Sequence, residues 1–236
     1  MGQKFIIFIL LSFFLVAGCA TAPFEQDKEA QYHYKMGLSY LNEGNIKLSF
    51  VEFQKAYQLA PNDKDVINSL GFVYMQLEEF EKARELFLRA ISIDPQFSEA
   101  HNHLGVVYSK TGRMQDAIDS FKKALSNLLY RTPEIAFYNL GMTYYRAGQY
   151  EQASNAFKDA IKRSPFSALP YFGLALVYNK EGRYGDAAAI MERALEIDLV
   201  YKGDKKRFSE DLKKRLPAAK SEEEADIKDY LEIIRY

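Results

Sequence analysis

The stretch Leu70-Gly71-Phe72-Val73-Tyr74, followed by Ala83, Phe87, Ala90 and Pro95, decides the fold. Its elements return along the chain at a 34-residue spacing. Before it stand Met36-Gly37, Tyr40, Ser49, Phe53, Ala56 and Pro61. After it come Leu104-Gly105, Tyr108, Ala117, Phe121 and Ala124, then Leu140-Gly141, Tyr144, Ala153, Phe157, Ala160 and Pro165. A fifth copy reads Leu174-Ala175, Tyr178, Ala187, Met191 and Ala194. An internal period of this length marks an array of stacked helical units, each able to bury its faces only against its neighbours.

The physics of one unit follows from the spacing. With Leu-Gly at positions 7 and 8, positions 4, 7, 8 and 11 share one helix face. Glycine at position 8 and alanine at position 20 let two antiparallel helices cross closely. Ala56, Ala90, Ala124, Ala160 and Ala194, at position 27, allow the same approach to the next unit. A phenylalanine at position 24, or Met191 in the fifth copy, fills the remaining space. Gly44, Gly112, Gly148 and Gly182 fall in the turn between helices, and the Asp94-Pro95 and Ser164-Pro165 pairs end second helices. The pattern resembles the tetratricopeptide repeat (TPR). That resemblance implies an all-α, right-handed superhelical solenoid of helix pairs. The repeats are expected at 30–63, 64–97, 98–133, 134–167 and 168–201, within a 29–201 array that forms one solenoid with no second domain.

Residues 1–18 read as a signal peptide. Lys4 supplies a basic start, and Phe5–Val16 is a 12-residue apolar run interrupted only by Ser12. That length suits a signal core better than a bilayer span. Val16-Ala17-Gly18-Cys19 resembles the lipobox of bacterial lipoproteins. The resemblance implies acylation of Cys19, palmitate included, and a lipid anchor. An ordinary secretory signal carrying a chance cysteine is the alternative. Residues 19–28 are expected as a lipidated tether. Ala20, not Asp, follows the cysteine, which by resemblance to known sorting implies an outer-membrane position facing the periplasm. Cys19 is the one cysteine of the sequence, so no internal disulfide forms. Lys and Arg total 31 against 32 Asp and Glu, a net charge of −1 that offers no reason to expect nucleic acid.

No motif of catalysis, phosphate binding or zinc binding is present. An enzyme is not expected, and no cofactor or metal. His101 and His103, two apart, point to different faces of a helix. His101 and His33 hold the same bulky position of their repeats and read as packed side chains.

The candidate site is the face formed by positions 2, 5, 9 and 12 of the first helices. Position 9, commonly polar in TPR proteins, holds Leu38, Phe72, Val106, Met142 and Leu176. Position 5 adds Tyr34, Asn68, Asn102, Tyr138 and Phe172, and position 12 adds Leu41, Met75 and Tyr145. A second apolar stripe either packs between neighbouring first helices or forms a groove for an apolar peptide or amphipathic helix of a protein partner. No Lys or Arg stands at position 2, where Gln31, Asp65, Glu99, Ile135 and Leu169 are found, so a charged clamp for a C-terminal carboxylate is missing.

After the fifth repeat, Phe208, Leu212 and Leu216 recur at a spacing of four between the basic clusters Lys205-Lys206-Arg207 and Lys213-Lys214-Arg215. Ser221-Glu222-Glu223-Glu224 reads as a capping box opening a last helix with Ile227, Tyr230, Leu231 and Ile234 on one face. Residues 202–236 are expected as C-terminal capping helices over the open end of the solenoid, or as a degenerate sixth repeat.

The step from Leu104 to Leu140 is 36 residues, and the two extra residues fall within Leu125–Pro133. This junction, the signal and the array are similar to the type IV pilus pilotins, the PilF/PilW/Tgl-like lipoproteins. The resemblance implies a protein that escorts an outer-membrane secretin subunit and promotes its multimerisation. The rival reading is a lipid-anchored scaffold for other cell-envelope complexes, such as peptidoglycan enzymes or barrel assembly.

Overall fold

The computed structural model describes residues 22–236, which are helical with short turns and contain no strand among the described residues. It divides at Pro95–Gln96 into two compact units, where the sequence reading expects one array. Helix pairs touch chiefly their immediate neighbours, so a repeat array has no single core to hold it as one body.

The first unit contains α1 (Ala22–Asn42), α2 (Ile46–Leu59), α3 (Lys64–Gln76) and α4 (Phe80–Ile93). α1 begins inside the segment expected as a tether. Residues 25–30 are Glu-Gln-Asp-Lys-Glu-Ala, mostly good helix formers. Gln26 Nε2 donates to the Leu59 carbonyl at 2.9 Å, and Ala30 is buried, so this segment docks on the end of α2. Asn45 and Asp63 cap α2 and α3 through their side chains. Arg89 of α4 holds the turn between the two repeats, donating to the Pro61 carbonyl at 2.7 Å and to Asn62 Oδ1 at 3.1 Å.

The second unit contains α5 (Ser98–Lys110), α6 (Met114–Ser126), α7 (Pro133–Arg146), α8 (Tyr150–Arg163), α9 (Ala168–Lys180), α10 (Tyr184–Ile197), α11 (Lys205–Arg215) and α12 (Ser221–Ile233). α5–α6, α7–α8 and α9–α10 pair as hairpins and stack. The Phe and Met residues at position 24 centre the core of each repeat: Phe53 and Phe87 in the first unit, Phe121, Phe157 and Met191 in the second, each at most 1% exposed.

The small residue at position 8 is explained by those rings. A Cβ on Gly37, Gly71, Gly105 or Gly141 would come within 2.6–2.8 Å of the phenylalanine of its own repeat. In the fifth repeat Ala175 and Met191 replace the pair. There Gly173, two positions earlier, makes room for Phe157 of the preceding repeat, with a Cβ approach of 2.5 Å. The turn of the second repeat also departs from the pattern. Glu78 takes φ +60°, where the matching turns hold Gly44, Gly112, Gly148 and Gly182 at 72–77°.

α11 and α12 do not form a sixth repeat hairpin. They meet only lightly, and α12 packs on α9 and α10. One period after the buried Ala194 stands Lys228, and after Leu174-Ala175 stand Phe208-Ser209. A long cation at position 27 cannot enter the close crossing that an alanine fills. The expected capping box is also absent. Lys220 is the N-cap without a side-chain bond, and Ser221 lies at φ +48°. Glu222 and Glu223 instead pair outward, with Arg146 and Arg215.

Candidate partner-binding groove

The first unit carries Tyr34, Leu38 and Leu41 on α1 and Asn68, Phe72 and Met75 on α3. Tyr34, Leu38 and Leu41 are half-buried and pack on the cluster of Phe53, Leu70 and Val73. The Tyr34 ring lies 5.9 Å from that of Phe53, and burial pushes its phenol pKa upward. Phe72 and Met75 are also half-buried, while Asn68 is buried. Packing and presentation therefore coexist for Tyr34, Leu38 and Leu41, which rest on the core and leave part of their surface to water.

In the second unit the corresponding positions of the first helices fall into two regions. Val106 of α5 and Met142 of α7 line an open cleft of about 350 Å³ with Ser109, Asn139, Thr143 and Arg146. Asn102 is buried above it and accepts from Asn139 Nδ2 at 3.1 Å. Further along, Tyr145, Phe172 and Leu176 are buried, and Tyr138 is half-buried. α12 covers that second region. It packs on both helices of the fifth repeat, α9 and α10, and reaches the first helix of the fourth through Tyr145 and Arg146.

Charge and aromatic contacts hold α12 there. Arg146 donates through both Nη atoms to the Asp226 carboxylate, with Nη1 at 2.7 Å from Oδ1. Lys180 pairs with Asp229 at 2.6 Å, and the Tyr145 hydroxyl donates to the same carboxylate at 3.2 Å. Burial and the neighbouring Asp229 carboxylate push the Tyr145 phenol pKa upward, which keeps it a donor. Asn179 donates to Glu232 at 3.3 Å. Tyr230 packs edge-on against Phe172, with centroids 5.8 Å apart, and Phe172 stacks on Phe208 at 5.4 Å. Leu169, Phe172, Phe208 and Tyr230 share the wall of a second, larger cavity of about 760 Å³.

Sequence reading missed this occupant, although one signal for it was present. From Pro170 to Asn179 every residue of α9 except Tyr171 is buried. A helix apolar all round requires cover on both sides. Its second cover is an acidic, tyrosine-bearing amphipathic helix, the type of ligand such a face accommodates. Cys19 and residues 1–18 lie outside the described residues.

Sequence profiles of the tetratricopeptide repeat match residues 30–63, 73–112, 96–165 and 138–198. The protein MJ0572 of Methanocaldococcus jannaschii is 34% identical over 65 residues, 28% of this chain and 76% of that protein. Among solved structures, PilW, described as a widely conserved type IV pilus biogenesis factor, superposes with a TM-score of 0.69 at 20% identity, covering 87% of this chain and 93% of PilW. PilF of Pseudomonas aeruginosa superposes with a TM-score of 0.68 at 21% identity, covering 86% and 98%. MamA superposes with a TM-score of 0.58 at 25% identity, covering 69% and 94%.

Proposed function

We propose that this chain, a member of the tetratricopeptide-repeat family, is an outer-membrane lipoprotein that assists assembly of a type IV pilus secretin. It faces the periplasm and is held by acyl chains on Cys19. It works by binding a protein partner, without catalysis or cofactor. An apolar segment of the secretin subunit is received by Tyr34, Leu38, Leu41, Phe72 and Met75 in the first unit or by the cleft beside Val106 and Met142 in the second.

The reading is carried by the extent of the structural likeness. Residues 30–201 make up less than three quarters of the chain. The superposition with PilW covers 87%, so it reaches beyond the five repeats, while that with MamA covers 69%. The half-buried apolar side chains support the binding mode. Burying one Leu or Phe is worth about 1.5–3 kcal/mol, so a few anchors give useful affinity after ordering costs. Affinity capture from detergent-solubilised envelopes tests the reading. Recovery of a secretin subunit is the expected result. Recovery of peptidoglycan enzymes or barrel-assembly proteins in its place would favour the general envelope scaffold.

A further inference from the structure

Every second helix of a stacked hairpin array ends on the side where the next first helix begins. The two inter-repeat junctions of the second unit, residues 127–132 and 164–167, and the junction from the fifth repeat to α11, residues 198–204, therefore follow one another along one edge of its stack. Four large apolar side chains among the described residues are more than 80% exposed, and all four lie in these junctions. Leu128 is 97% exposed, Leu129 87%, Phe166 83% and Leu199 86%. The next most exposed, Tyr236, reaches 62%.

These tips are held outward by formed turns. Asn127 Oδ1 accepts from the Leu129 amide at 3.0 Å, while Tyr130 folds back and is buried against Ala124 and Ala136. Asp198 Oδ1 accepts from the amides of Val200 and Tyr201 at 2.8 and 3.0 Å. The Tyr171 hydroxyl donates to the Pro165 carbonyl at 3.1 Å, beside Phe166. The two-residue insertion at the first junction thus buries a tyrosine and projects a Leu-Leu pair.

Exposed basic side chains surround the tips, interspersed with carboxylates. Arg131, Lys162, Arg163, Lys202, Lys206 and Arg207 are all exposed here. Asp198 and Asp204 are occupied in capping backbone amides, and Glu196 is paired with Arg193 at 2.9 Å. Asp159 pairs with Lys162 at 2.8 Å, and Glu99 and Glu134 stand near Tyr130 at the first junction. Arg207 Nη1 donates to the Val200 carbonyl at 2.9 Å, placing a guanidinium on the third tip.

We propose that this edge is a lipid-contact surface, with Leu128, Leu129, Phe166 and Leu199 entering the interfacial layer of an anionic phospholipid bilayer. The observations favour a bilayer over a protein. Separate projecting knobs divided by polar turns present no continuous area for a rigid partner, but a fluid interface closes around each one. The basic side chains match anionic headgroups, and their stems reach along the apolar boundary. The inference rests on the proposed acyl anchor, which brings the edge to the membrane; intact mass of the purified chain reports that anchor by itself.

The test uses the acylated full chain in vesicles of phosphatidylethanolamine and phosphatidylglycerol. Leu129→Cys, Phe166→Cys and Leu199→Cys each carry a bimane label, with Glu151→Cys as the reference, and the acyl chains of the lipid are brominated. The expected result is about a twofold loss of emission at the three tips but not at position 151, with a smaller loss in phosphatidylcholine alone. Unquenched tips in acylated protein overturn the proposal. So do labels that respond only when envelope proteins are added, which would make the edge a protein interface. A chain with full mass but no quenching refutes the contact, whereas a chain lacking the acyl mass refutes the anchor.

Discussion

Arg146 and Asp226, 80 residues apart in the chain, form a two-pronged ion pair in which each side chain retains 14% of its surface. The pair ties the first helix of the fourth repeat to the last helix of the protein. Removing one partner of such a half-dry pair leaves a charge without its counter-ion, at a cost of about 3–5 kcal/mol in fully buried cases and less here. Asp226→Ala is expected to speed hydrogen exchange of the 221–233 amides by roughly tenfold or more, while α1–α4 stay protected. The swap Arg146→Asp with Asp226→Arg should recover part of that protection. Unchanged exchange in Asp226→Ala would show that the aromatic contacts of Tyr230 hold α12 without the ion pair.

The approach of Gly71 to Phe87 predicts a severe variant. A Cβ at position 71 already lies 2.8 Å from the ring and 3.2 Å from Leu86 Cβ. Gly71→Leu should lower stability by about 3 kcal/mol or more through overpacking. Ala83→Phe, at a fully buried crossing, should do the same. Thermal melting followed by circular dichroism checks both; wild-type melting would refute the crossing argument.

Glu78 offers the opposite change. A non-glycine residue at φ +60° is strained by about 1 kcal/mol or more. Glu78→Gly is therefore expected to stabilise the first unit by about 0.5–1 kcal/mol, since the other turns show that glycine fits there. A urea titration following residues up to 95 by hydrogen exchange measures it. A loss of stability would mean that the Glu78 side chain contributes more than its backbone strain removes.

Burial pushes the imidazole pKa of His103, on α5, down to about 4 from 6.5. Between those values the unfolded chain binds a proton that the folded chain does not. Stability contributed by the neutral ring is therefore present above pH 6.5 and falls as pH drops, by up to about 1.4 kcal/mol per unit. Urea midpoints recorded from roughly pH 7 down to pH 5 should fall less steeply in His103→Gln than in the wild type. Parallel slopes would exclude His103 as the titrating group.

The groove is tested by Phe72→Glu combined with Met142→Glu. Both residues are half-buried, and each substitution places a carboxylate on an apolar contact surface. Partner capture should be abolished while helicity is retained. A folded double variant that still captures the partner would remove this face from the function.

Position 9 shows how far the repeat pattern reads into the site. Phe72 and Met142 hold that position as half-buried residues. Leu176 holds the same position, yet it is fully buried under a helix that the period does not describe. Gly173 was equally invisible, because its neighbour is the Phe157 ring of the preceding repeat and the fifth copy breaks the Leu-Gly rule. The junction insertion was visible as a change of spacing. That it buries Tyr130 and projects Leu128 and Leu129 depends on the turn that Asn127 closes.

The sequence by itself determined the helix pairs, their turns and the small residues at their crossings. Those features are set by contacts within one period, where spacing along the helix dictates which side chains meet. Only the tertiary structure decided that α12 packs on the fifth repeat and bonds to Tyr145 and Arg146 of the fourth, and which part of the groove face it leaves open. Asp226 and Asp229 find their partners 80 and 49 residues away, and no local periodicity encodes a contact at that range.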